Sequence, residues 1–124
     1  MAEAIANACH ADVMDAFSAG LGPAPIIQAL TFACLREHGI DLDSDKRPQE
    51  LAKADWKSAD LIVNMSGHGV LPVIPEYKRD ILIWEIPDPI GQPLAVYRIA
   101  RDLIDRQVDQ LANALRNGTR LPGL

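Results

Sequence analysis

Two short apolar runs restrict the fold of this 124-residue chain more than any other feature. "ADLIVNMS" sets Leu61, Ile62 and Val63 side by side, and "DILIWEI" repeats the arrangement from residue 80. Runs of this kind, without the alternation of a half-solvated strand, fit strands covered on both faces. Helical stripes surround them. Residues 2 to 10 place Ile5, Ala6 and Cys9 at helical spacing, and Pro25 to His38 carries Ile26, Ile27, Leu30, Ala33 and Cys34 on one stripe that Gly39 stops. Val13 to Ala19 reads as a strand closed by Gly20, Gly22 and Pro23, and a short helical turn is expected near Glu50 to Ala54. Leu94 to Leu115 is a long helix with Val96, Tyr97, Ala100, Leu103, Ile104, Val108, Leu111 and Leu115 on one stripe, ending near Gly118. Strands alternating with helices predict an α/β fold with a mostly parallel sheet, and the length fits one domain over residues 1–124.

Charge and cysteine use narrow the function classes. Twelve basic against 17 acidic residues give a net charge of -5, which repels phosphate backbones and anionic lipid. Nucleic acid and membrane are therefore not expected as partners. There is no apolar run near the ~20 residues of a membrane span and no signal-peptide pattern, so the cytoplasm is the expected compartment. Cys9 and Cys34 fit neither a metal spacing nor a disulfide framework; both are read as reduced, small core hydrophobes, and no metal or cofactor is expected.

Parallel α/β sheets bind ligands at the carboxyl ends of their strands. Here those are the loops "SAGLGPAP", "SGHGVLP" and "PDPIGQP". Asp88, between two prolines, is held stiffly enough to aim a carboxylate as a general acid or base, or simply makes a turn. Ser18 ends a strand where its hydroxyl can steady an anion-binding loop or bond its own turn. His68 is a ligand or shuttle candidate in a glycine-flanked loop, or an exposed histidine without a role, while His10 and His38 suit helix C-termini. Lys46 and Arg47 read as a solvated loop and the two tryptophans as packing.

Taken in order, "MAEAIA", "FSAGLGPAP", "LREHGID", "ADLIVNM" and "WEIPDPIGQPLAVYRIARDLIDRQVDQL" resemble segments of the low-molecular-weight protein tyrosine phosphatase family, more closely its arsenate-reductase-like branch. That resemblance implies a three-layer, flavodoxin-like sandwich. It also implies a first, central strand ending in a Cys-x-x-x-x-x-Arg-Ser loop immediately before the "MAEA" helix, with the thiolate attacking phosphorus or arsenic and the arginine clamping the oxygens. No position supplies this loop: six residues beyond Cys9 is Asp15, and six beyond Cys34 is Ile40. By the same resemblance Asp88 matches the general acid, and Ser18 matches a serine bonded to the phosphate loop. The two further cysteines of thiol-relay reductases would fall near Gly67 and Leu71, and neither is cysteine.

The expectation that follows is a truncated phosphatase-like domain, inactive as given and acting as a dimeric binding or structural protein. The alternative is a fragment of an active phosphatase or arsenate reductase, taking phosphate-like anions or a phosphoprotein when complete, with Asp88 as general acid. An absent central strand would leave buried backbone groups unpaired at about 1 to 3 kcal/mol each, which favours a homodimer. Residues 1 to 10, without an N-cap, are expected to fray or to be held by a partner chain.

Overall fold

The structure is a computed structural model and describes residues 1–123. Three α-helices, α1 (Ala2–Cys9), α2 (Ala29–Arg36) and α3 (Leu94–Asn117), surround two strands, β1 (Leu61–Asn64) and β2 (Asp80–Ile83). Two 3-10 turns, Leu51–Lys53 and Trp56–Ser58, precede β1. The strands pair in parallel, with Leu61 opposite Asp80 and Asn64 opposite Ile83. The fold is α/β, as the pattern predicted.

Strand periodicity explains the burial of both faces. Side chains alternate across a strand, so Leu61 and Val63 of β1, with Leu82 and Trp84, join Ile5, Ile104, Val108 and Leu111 in the larger core. Ile62 and Ile81 turn to the opposite face and pack against a smaller cluster of Trp56, Val70, Ile74 and Tyr77. The uninterrupted apolar run is thus the mark of a sheet with a core on each side.

Helix α3 is the axis of the larger core. Its buried stripe includes Tyr97, Ala100, Ile104, Val108 and Leu111, at the three- and four-residue spacing that gathers side chains on one face. It stops where expected, at Gly118, whose φ of 62° is left-handed and whose N–H reaches the Ala114 carbonyl. Both α1 and α2 pack against α3. Glu37, which caps α2, receives Arg98 and Arg101 of α3, the latter at 2.7 Å.

Helix α2 is shorter than its apolar stripe. Gln28 has an extended backbone (ψ 142°), so the helix begins only at Ala29 and Ile26 is left 55% exposed. Gly39, at φ 73°, lies just beyond its end, as predicted.

The expected strand over Val13–Ala19 does not form. The physical reason is a side chain: the Asn7 carboxamide takes both backbone groups of Ala16, donating to its carbonyl at 2.9 Å and accepting its N–H at 2.8 Å. These are the groups a strand neighbour would have paired. Pairing resumes only at Gly20, which forms an isolated parallel bridge with Glu50.

Helix α1 finds within its own chain the hold that was sought in a partner. Ile5 and Ala6 are buried in the core. Beyond its end, Arg116 of α3 binds Asp12 through Nε and Nη2 at 2.7 and 2.8 Å, and lies 2.9 Å from Nδ1 of the buried His10. Cys9 departs from expectation. It is exposed while Cys34 is buried, because α1 ends at Cys9 and the chain turns inward at His10 instead. Among the described residues, no helix is long and apolar enough to cross a membrane.

Candidate functional site

Ser18 and Asp88, 70 positions apart in sequence, line one cavity of about 300 Å³. Its lining includes the first turn of α1 and Tyr97 of α3, and Ile26, Ile27, Pro89 and Ile90 add apolar surface. Four charged side chains, Glu3, Lys46, Arg47 and Asp88, share the lining. These are two side chains of each sign, and the α-amino group of Met1, whose pKa burial pushes down, lies among them.

Asp88 makes the turn that one of its sequence readings allowed. One carboxylate oxygen accepts the Ile90 N–H at 3.1 Å, and the Gln92 N–H then bonds to the Pro89 carbonyl at 2.9 Å, so the turn is real. With Pro87 and Pro89 fixing the backbone on either side, that turn also fixes the carboxylate at the cavity wall.

Ser18 is tied on two sides. Its carbonyl accepts from Gln49 Nε2 at 2.9 Å, and its hydroxyl donates to Glu3 Oε1 at 3.2 Å. The other oxygen of Glu3 lies 2.6 Å from Lys46 Nζ. Glu3 is thus gripped by a hydroxyl and an ammonium, with its side chain only 12% exposed. Arg47 works differently: Nη1 donates to the carbonyls of Ser44 and Lys46, both at 3.0 Å, which tightens its own loop.

The remaining candidates stand elsewhere. His68 belongs to a loop stapled by the buried Asn64, whose amide donates to the His68 carbonyl at 2.7 Å and whose carbonyl accepts from the Ser66 hydroxyl at 2.7 Å. His68 does not line the cavity, and neither cysteine does. Cys34 is fully buried and burial pushes its thiol pKa up, the direction that suppresses a thiolate. Glu3 and Lys46 were not legible as site residues. Each reads alone as a solvated charge, and only the fold places a first-turn carboxylate beside residues 15 and 43 positions further on.

The frame around this cavity decides the relationship. The model of the family described as low molecular weight phosphotyrosine protein phosphatase matches residues 1–121. The chain belongs to this family. It is similar to a glutaredoxin arsenate reductase of Synechocystis sp., 28% identical over 120 residues that cover 85% of this chain and 88% of the relative. In three dimensions it is similar to a protein tyrosine phosphatase, with TM-score 0.81, 21% identity and coverage of 96% of this chain and 88% of the other. It is also similar to an arsenate reductase solved in a phosphate-binding state, with TM-score 0.79, 22% identity and coverage of 92% and 86%. Within this phosphatase family, then, the α/β frame is kept at low identity.

Proposed function

We propose that this chain is a phosphatase-family domain that binds a phosphate-like oxyanion, free or carried on a phosphoprotein, without breaking its bonds. The carrying observation is the composition of the cavity: Ser18 and Asp88 line it, and neither Cys9 nor Cys34 does. Family chemistry needs a thiolate to attack phosphorus or arsenic and an arginine to clamp the oxygens. The sequence has no Cys-x5-Arg to provide them. Asp88 is then a proton donor without a leaving group to protonate.

The same reading extends to assembly. The two strands form a sheet of order β1-β2 alone, and we take it as the flank of a three-layer, flavodoxin-like sandwich whose central strand this sequence does not carry. An open ladder edge is a template for association. A cytoplasmic homodimer that covers this edge follows, working as a binding or structural protein.

The test is turnover of p-nitrophenyl phosphate by the purified chain. None above buffer is expected, together with saturable binding of inorganic phosphate; turnover that disappears in Asp88→Ala would overturn the inactive reading. Sedimentation at micromolar concentration should show a dimer, and a pure monomer removes that part of the proposal.

A second reading is favoured by the presence of Ser18 and Asp88 in the lining of one cavity. In it, an upstream segment of a longer protein brings the nucleophile loop to the first turn of α1, and Asp88 acts as general acid. The nucleotide sequence preceding the Met1 codon distinguishes the two: an in-frame Cys-x5-Arg-Ser supports the enzyme, and its absence supports the binding protein.

A further inference from the structure

We propose that Lys46 is the cation with which this cavity recognises an oxyanion, and that the Glu3 carboxylate keeps its place until that oxyanion arrives. The inference rests on the oxyanion-binding reading above and adds to it a named recognition residue and an internal competitor.

The geometry is that of an occupied anion site. A hydroxyl and an ammonium converge on one carboxylate, Ser18 Oγ at 3.2 Å from Oε1 and Lys46 Nζ at 2.6 Å from Oε2. These are donors that a phosphate or arsenate oxygen accepts from equally well. All three residues line the cavity that also contains Asp88. The carboxylate that fills the donors belongs to the protein itself.

Of the two cationic side chains in the lining, Lys46 is the one free to change partner; the α-amino group of Met1, which also lines the cavity, is buried, and burial pushes its pKa down. Arg47 uses Nη1 to hold two carbonyls of its own loop, and moving it would undo that loop. Lys46 sits on a flexible four-carbon stem, its side chain 38% exposed. The ammonium end of this pair is part-exposed, which keeps its net stabilisation modest even though the carboxylate end is only 12% exposed. Exchanging a singly charged carboxylate for a more highly charged oxyanion gains Coulomb energy at Lys46, set against the cost of displacing Glu3. Glu3, in the first turn of α1, can release its grip without breaking a backbone hydrogen bond of the helix.

The experiment is a double-mutant cycle read by titration with inorganic phosphate. Removing the competitor in Glu3→Gln is expected to tighten phosphate binding about tenfold, and Lys46→Met to weaken it about tenfold. The deciding comparison is Glu3→Gln in the Lys46→Met background. Loss of a negative charge alone would help any anion in either background, whereas a competitor for Lys46 helps only while Lys46 is present. The gain should accordingly shrink to about twofold or less in the double variant. A gain of equal size in both backgrounds, or phosphate binding untouched by Lys46→Met, overturns the inference while leaving the oxyanion-binding reading in place. Absence of phosphate binding in the parent and in Glu3→Gln alike overturns both. Lys46→Arg, which keeps the charge, should retain most of the affinity, and its circular dichroism checks that the 46–50 loop and the fold survive.

Discussion

Arg101 reaches from α3 to the backbone of α2, where its Nη1 donates to the Cys34 carbonyl at 2.9 Å. Its side chain is only 7% exposed, and the same nitrogen also meets Glu37 at 2.7 Å. Truncation leaves a buried carbonyl without a donor and removes one of Glu37's two guanidinium partners. Arg101→Ala should cost about 2 to 3 kcal/mol, seen as a lower urea midpoint at unchanged slope. Arg98→Ala, outside the core, should cost well under half as much.

Acid should loosen the same contact. The guanidinium groups of Arg98 and then Arg101 hold the Glu37 carboxyl down at about 2, against an ordinary 4.5. A carboxylate with a lowered folded-state pKa contributes stability above its unfolded value and loses it as pH falls toward the folded one. The Glu37 contribution should therefore be complete above pH 4.5 and vanish toward pH 2. Asp12, lowered to about 2 chiefly by its hydrogen bond to Arg116, should behave alike. Melting temperature followed through this window should fall less steeply in Glu37→Gln than in the parent.

The two thiols should differ in reactivity. Cys9 is exposed and Cys34 is fully buried with its Sγ 3.4 Å from the Thr31 carbonyl. A thiol-specific dye should label one site rapidly in the native protein and two after denaturation. Cys9→Ser should abolish the fast phase.

Gly118 offers a conformational test free of packing. Its φ is +62° and an added Cβ would meet no atom within 4 Å. Gly118→Ala should destabilise by about 1 kcal/mol from the left-handed backbone alone, and Gly118→Asn by less.

What the sequence reveals here depends on whether a signal is local. Helix α3 is legible because 24 residues keep one apolar stripe and a glycine ends it. Strands β1 and β2 are legible from their apolar runs, although the cover on both faces expected of β2 fails at Ile83, which is 74% exposed at the end of the strand. The Val13–Ala19 segment has the composition of a strand, but strand formation needs a neighbour, and the Asn7 amide that takes its place lies nine positions earlier. Asp88 could be picked out by its place in the loop after β2, and Ser18 by the end of an expected strand that the fold does not form. The Glu3–Lys46 pair carries no such mark, since its meaning arises only from the 2.6 Å that the fold puts between them.

The sheet's two covered faces have a spectroscopic consequence. Trp84 belongs to the core built on α3, and Trp56 to the cluster it forms with Tyr77, whose ring stands edge-on to it with centroids 6.5 Å apart. Each of the two cores thus contains one tryptophan, and there are only two in the chain. Partial opening of the Trp56 side, the smaller cooperative unit, would red-shift one emission band while the other stayed native. Single-tryptophan variants convert the bilayered core into a pair of independent reporters of whether the domain comes apart at once or by halves.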